Sequence, residues 1–236
     1  MSSSSIKDTL YALVGRLAKS MANAKRLELV ELLCQAPKSV DALATEAGIS
    51  ITLASAHLKE LRLAHVVESE KVGRQVIYRI SCPEVAGLLV AMRSLAQDRL
   101  ADLRDTLQQK DGNAAWGEKS GGQLAQQAER GEITVIDVRP VGEFTERHLP
   151  NALSLPLAEL PKRLRELPKG KPVIAYCRGP FCSMSVEAVK KLRTAGFDAW
   201  VWREGAADWI AGDAATAEAA TAKPTKNSRS KSGAKP

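Results

Sequence analysis

Lys171 to Gly196 reads KPVIAYCRGPFCSMSVEAVKKLRTAG, and this stretch decides how the second half of the chain folds. Val173-Ile174-Ala175-Tyr176 is a short apolar, β-prone run of the length of a buried parallel strand. Arg178-Gly179-Pro180 can extend neither a strand nor a helix. A helix is expected to begin near Ser183 or Ser185, with Val186, Val189 and Leu192 as its inward stripe. Cys177 therefore falls between the carboxyl end of a strand and the amino end of a helix, where backbone N–H groups converge. Those groups and the helix dipole favour a thiolate, lowering the pKa from its free value of about 8.5. A thiolate in such a cradle is suited to attack on sulfur or on an oxyanionic substrate.

The surrounding residues carry a resemblance. Ile136-Asp137-Val138-Arg139, Glu143-Phe144, His148-Leu149-Pro150-Asn151-Ala152 and Leu155-Pro156-Leu157 precede the loop, and Gly196-Phe197 and Glu204-Gly205 before Trp209 follow it. Over about residues 120–212 this ordered set resembles a rhodanese-type sulfurtransferase domain. There are departures: Arg147 stands where a Gly usually precedes the His, and Ala206 replaces a second Gly after Glu204. Cys177 to Ser185 is about two residues longer than the commonest loop, which reshapes the pocket. The related phosphatases place an Arg six positions after the nucleophile, and here that position is Ser183. The resemblance implies that Cys177 takes a sulfane sulfur and holds it as a persulfide. Arg178 and the loop N–H groups would steady anionic charge on the donor, and Cys182 would resolve the persulfide into a disulfide or merely pack. Asp137 and Arg139 are expected to fix the loop at the strand end, and Arg147 and His148 to be surface and scaffold residues.

At 236 residues the chain suits two small domains. Its 44% hydrophobic content can build two cores, and no apolar run approaches the roughly 18 residues of a membrane span. The lead Met1-Ser2-Ser3-Ser4-Ser5 lacks the apolar region of a signal peptide. The four cysteines, Cys34, Cys82, Cys177 and Cys182, form no tight disulfide framework, so a reducing cytoplasmic compartment is expected. The net charge of +7 is spread: residues 1–110 hold 15 basic against 12 acidic, and residues 111–211 hold 14 against 13. Bulk charge alone thus argues only weakly for nucleic acid.

The first half reads as helices over Ile6–Met21 and Ala24–Gln35, the latter ended by Pro37. Ser39 caps a short helix through Ala47, Gly48 supplies a turn, and Ser50 caps a helix over Ile51–Leu63. This is the spacing of a helix-turn-helix. Val66–Ser69 and Gln75–Ile80 form a hairpin about Lys71-Val72-Gly73-Arg74, a basic wing. Pro83 to Lys110 reads as one long helix whose apolar stripe, including Leu88, Met92, Leu95 and Leu100, exceeds what one small core needs. A dimer interface follows from it.

Lys25-Arg26-Leu27, Val40 with Leu43-Ala44, Gly48-Ile49-Ser50, His57-Leu58-Lys59 with Leu61, and Gly73-Arg74 before Tyr78-Arg79 are similar to ArsR/SmtB winged-helix repressors across residues 6–108. Base readers would come from Ile51, Thr52, Ser55 and Ala56, and phosphate contacts from Lys59, Arg62, Lys71 and Arg74. Ile51 and Ala56 can touch a thymine methyl but cannot donate a hydrogen bond. His57 is expected to be a partly buried packing residue. The metal-binding positions used by relatives are altered: Ser39-Val40-Asp41 replaces a Cys-x-Cys pair, and the last helix holds no His. Neither metal nor cofactor is expected. Cys34 and Cys82 lie near positions that persulfide-sensing relatives use, Cys34 about one turn displaced, and remain candidates for redox sensing.

In the second half, Gln123–Gly131 is expected to be a helix, Ile133–Val138 the first strand, Leu157–Leu167 helical, Ala199–Trp202 the last strand and Gly205–Ile210 a closing helix. Alternating strands and helices imply an α/β unit with a mainly parallel sheet. The expected organisation is a mainly α winged helix-turn-helix over 1–110 for DNA binding and dimerisation, a linker over 111–122, a rhodanese-like domain over 123–211, and a disordered basic tail over 212–236. The expected function is a homodimeric regulator of duplex DNA that handles or senses sulfane sulfur, or a related small anion, and does not engage membrane. The rival is a thiosulfate or persulfide sulfurtransferase whose winged helix serves to dimerise or localise it. Two routes from sulfur to DNA are open: transfer from Cys177 to Cys34 and Cys82, or oxidation at Cys177–Cys182 that alters packing between domains.

Overall fold

The computed structural model describes residues 3–117 and 120–212, with side chains from Ser5 onward. The expected disordered tail lies, from residue 213, outside the described residues. The N-terminal part runs α1 (Ser3–Met21), α2 (Ala24–Gln35), β1 (Lys38–Ser39), α3 (Val40–Glu46), α4 (Ile51–Leu63), β2 (Val67–Val72), β3 (Gln75–Ile80), α5 (Pro83–Arg99) and α6 (Ala101–Asp111). Local chemistry sets these boundaries. The side chains of Asn23, Ser39 and Ser50 accept from the backbone N–H groups of Arg26, Ala42 and Leu53, satisfying donors that the first helical turn leaves unpaired. Gly48 takes φ +63° between α3 and α4, where a side chain would be strained. β2 and β3 form an antiparallel hairpin registered from Val67↔Ile80 to Val72↔Gln75, and β1 adds to β3 as a third strand. The core beneath holds Leu29, Val30, Leu33, Leu43, Leu58 and Leu61. This is a winged helix-turn-helix.

One helix expected over Pro83–Lys110 is two. Leu100 adopts extended backbone (φ −103°, ψ 107°) between α5 and α6. No Pro or Gly marks the break, so its cause is tertiary: α6 turns back to bring Lys110 and Asp111 onto the C-terminal unit. Lys110 Nζ donates to the Cys182 carbonyl at 3.0 Å, and Asp111 pairs with Arg203. The apolar residues Ile6, Leu10, Leu13, Val14 and Leu17 of α1, with Leu88, Met92 and Leu95 of α5, stay exposed on the single chain.

The residues after α6 are less free than a linker. Gly112–Ala114 form a 3-10 turn with Ala114 buried, and Ala115 bridges Val201. The C-terminal unit then runs α7 (Gly121–Glu129), β4 (Thr134–Asp137), α8 (Val141–Glu146), β5 (Leu153–Ser154), α9 (Leu160–Arg163), β6 (Val173–Tyr176), α10 (Met184–Thr194) and β7 (Ala199–Val201), with a closing helix over 206–212. Its sheet is parallel throughout, in the order β5-β4-β6-β7. Strand alternation divides the interior: Ile136, Val138, Ala175 and Cys177 face one core, and Val135, Ile174 and Tyr176 face the other. Leu157–Leu167 is helical only over α9 and a 3-10 turn at Leu164–Glu166, with Pro156, Pro161 and Pro168 limiting its length. The closing helix lends Ala207 to the N-terminal core, tying the two units together.

Candidate functional site

Cys177 sits just past the end of β6 and is buried. Its Sγ lies 3.2 Å from Ser185 Oγ in the first turn of α10. Burial alone raises a thiol's pKa, but hydrogen bonds from the Cys182 and Ser185 side chains and from the N–H groups of Ser185 and Gly179 outweigh it, lowering Cys177 to about 6. Cys182 moves upward, first because its hydrogen bond to Cys177 keeps its proton in place and second because it is buried. The pair is a thiolate facing a thiol, the arrangement in which one sulfur attacks and the other resolves.

The loop after Cys177 is held from both units. Gln35 Nε2, at the end of α2, donates to the Arg178 carbonyl at 3.3 Å, while Gln35 Oε1 accepts from Arg139 Nη1 at 2.9 Å. Arg139 is itself buried, donating to both carboxylate oxygens of Asp137 and to the Arg147 carbonyl. Asp137 and Arg139 thus brace the strand end. Gly179 has φ +142°, and an added Cβ would meet Glu31 Oε1 at 3.2 Å and Arg93 Nη1 at 3.3 Å. Behind it Arg93 bridges Glu31 and Asp208. Glu31 is raised to about 7, chiefly by burial and against the pull of Arg93.

Arg178 departs from its expected role of steadying charge on a donor. Its Nη2 meets Glu143 Oε1 at 2.5 Å and Glu46 Oε2 at 2.5 Å, and its Nε meets both Glu143 oxygens at 3.1 Å. Lys38 Nζ joins the same two carboxylates, at 2.9 Å from Glu143 and 3.0 Å from Glu46. Burial pushes Glu143 upward, but the two cations together hold its carboxyl below the usual range. The cation next to Cys177 is thereby joined to the last residue of α3, the first helix of the helix-turn-helix.

The other sequence-predicted residues are scattered. Ile51, Thr52, Ser55, Ala56 and Lys59 share an exposed face of α4, with Arg62 exposed at its end and donating to Ser69 Oγ. Lys71 and Arg74 are exposed at the hairpin tip. Cys34 is buried in the N-terminal core, its thiol pushed up to about 12 by burial and by Glu31. Cys82 is exposed at the N-cap of α5, and both thiols are free. Among the described residues no group of three His, Cys, Asp or Glu side chains could hold a metal ion, and no helix is long and apolar enough to cross a membrane.

Sequence reasoning missed Ser185, Gln35, Glu31, Glu46, Arg93 and Glu143. Two of them carried a signal: Arg93 interrupts the apolar stripe of α5, and Ser185 stands in the buried first turn of α10 beside Val186.

Residues 23–69 match the bacterial regulatory protein family arsR, and residues 120–212 match the rhodanese-like domain. The HTH-type transcriptional regulator Rv0324 of Mycobacterium tuberculosis is 36% identical over 207 residues, covering 86% of this chain and 89% of its own length. The thiosulfate sulfurtransferase GlpE of Coxiella burnetii is 38% identical over 55 residues, 23% of this chain and 51% of that protein. A solved homodimeric winged helix-turn-helix DNA-binding domain from Mycobacterium bovis is 35% identical, covers 41% of this chain and 89% of its own, and has a TM-score of 0.39. Helix-turn-helix, wing and sulfur-type loop lie on one chain that aligns with such a regulator over most of both lengths, and the chain belongs to the arsR family of bacterial regulatory proteins, in the form that carries a C-terminal rhodanese-like domain.

Proposed function

We propose that the protein is a homodimeric, DNA-binding transcriptional repressor in which Cys177 takes up sulfane sulfur and the reactive loop reports this to the helix-turn-helix. Residues 1–110 form the DNA-binding and dimerisation part, 111–122 the connection, 123–211 the rhodanese-like part, and 212–236 a basic tail. The observation that carries the reading is the seating of the loop on the winged helix, through Arg178 to Glu46 and through Gln35 to the Arg178 carbonyl. A thiolate attacks the outer sulfur of a donor, and the S–S bond of the donor breaks: Cys177–S⁻ + R–S–SH gives Cys177–S–S⁻ + R–SH. Cys182 then attacks the inner sulfur while its proton leaves with the sulfide: Cys177–S–S⁻ + Cys182–SH gives Cys177–S–S–Cys182 + HS⁻. Either product changes the hydrogen bonds that fix the loop. Of the two routes to DNA, this one is favoured, because Cys34 is a buried neutral thiol. DNA would be read by Ile51, Thr52, Ser55 and Ala56, and its phosphates held by Lys59, Arg62, Lys71 and Arg74.

The test is affinity for the protein's own promoter before and after benzyl hydropersulfide, in wild type, Cys177→Ser and the Cys34→Ser/Cys82→Ser double variant. Wild type and the double variant should lose affinity by about tenfold, equivalent to ~1.4 kcal/mol, and Cys177→Ser should not respond. An unresponsive wild type, or a responsive Cys177→Ser, contradicts the proposal. A second reading, a sulfurtransferase whose winged helix only dimerises or localises it, draws support from the lowered pKa of Cys177. It predicts sulfur turnover with unaltered DNA affinity.

A further inference from the structure

A cavity of about 720 Å³ lies between the reactive loop and the winged helix, walled by α2, α5 and α6 on one side and by Phe181, Cys182 and Ser183 on the other. Cys177 is sealed from solvent, whereas Cys182 is partly exposed and lines this cavity. The thiol that touches Cys177 therefore faces the cavity, and a donor reaching the pair arrives through it. Rested on the sulfur-acceptor reading above, the walls then determine which donor fits.

Leu27, Leu32, Leu89, Met92, Leu103 and Phe181 supply most of the lining. Its two cations are both committed, Arg93 to Glu31 and Asp208, and Arg178 to Glu143 and Glu46. Lys110, beside the loop, is held by the Cys182 carbonyl and Asp111. The carboxylates of Glu28, Glu31 and Glu46 also line the wall. A dianion such as thiosulfate would leave water for a space with no uncommitted cation and three acidic side chains, a transfer that is costly without pairing. The burial that raises Glu31 to about 7 makes the wall less charged near neutral pH, further suiting an uncharged guest. Ser183, which also lines the cavity, carries no charge.

We propose that the inter-domain cavity is the donor site and that it selects sulfane-sulfur carriers with hydrocarbon substituents, organic hydropersulfides that react in their protonated S–SH form, over thiosulfate and donors that carry a fixed negative charge.

The full-length protein would be treated with benzyl hydropersulfide, with its para-sulfonated counterpart and with thiosulfate. Gain of one sulfur on the peptide containing Cys177 would be followed by mass spectrometry, each rate normalised to that of a small free thiol. The benzyl donor should load Cys177 about tenfold faster than its sulfonate, and Ser183→Arg should narrow that gap several-fold by supplying a cation. Phe181→Lys places a cation at another, exposed position of the same wall and should act the same way if Ser183→Arg fails to fold. Equal normalised rates, or faster loading from the sulfonate or thiosulfate, overturn the inference while leaving Cys177 as the acceptor. Loading by no donor removes the acceptor reading, and this inference with it.

Discussion

The Cys177 thiol is lowered because four hydrogen bonds at one sulfur outweigh its burial. Its thiolate should form near pH 6, well below the free value of about 8.5, and be visible as thiolate absorbance on titration. Cys34 stays silent in that range because its thiol is pushed to about 12. Cys182→Ala removes the first of the supporting hydrogen bonds and should shift the transition to higher pH, whereas an unmoved transition would show that Ser185 and the backbone suffice. A thiol whose folded pKa lies below its unfolded one stabilises the fold above the unfolded value, and that contribution fades as pH falls through about 6. At this scale the sequence disclosed Cys177 through its place between strand and helix. It did not disclose that Arg178 turns to Glu46 and Glu143, because those partners lie 132 and 35 residues away in the chain.

At the scale of elements, the helix-turn-helix was legible to within a residue. Its stops are local: Ser39 and Ser50 cap α3 and α4, and Gly48 supplies the left-handed turn between them. The central strands β4 and β6 were legible as short apolar runs bounded by loop residues. What was not legible is set by distant contact. Leu100 breaks the last long helix of the N-terminal part only because α6 is drawn onto the C-terminal unit, and β1 exists only because β3 offers it an edge. The reactive loop is similarly wedged. A Cβ on Gly205 would stand 2.2 Å from the Arg178 carbonyl oxygen, with backbone on every near side. Gly205→Ala should lower stability by about 1–3 kcal/mol, the usual cost of overpacking, and displace the loop. Thermal unfolding checks the first effect and the pH of thiolate formation the second. A variant as stable as wild type, with its thiolate transition unchanged, would show that the wedge can relax freely.

In the whole molecule the two units are joined by charged clusters as well as by apolar contact, in which Ala207 and Ile210 of the closing helix pack on the N-terminal core. Lys38, Glu46, Glu143 and Arg178 form one cluster across the boundary, and Glu31, Arg93 and Asp208 form another. Buried ion pairs contribute modestly to stability but penalise displacement of any one member, so they favour a small number of defined arrangements. The proposed sensing needs two such arrangements, since a ligand shifts an equilibrium only by its differential affinity for two states. In the proposed homodimer the exposed apolar faces of α1 and α5 would be the surface for the second copy, which would place two recognition helices on one DNA site. In the proposed mechanism sulfur on Cys177 reaches DNA through Arg178 and Glu46. Its most direct test is the ratio of promoter affinities with Cys177 reduced and sulfur-loaded, in wild type and in Glu46→Ala, which leaves Arg178 paired with Glu143 and the thiolate cradle intact. The expected ratio is about ten in wild type and close to one in Glu46→Ala, at equal loading of Cys177; the same ratio in both proteins would rule out this path.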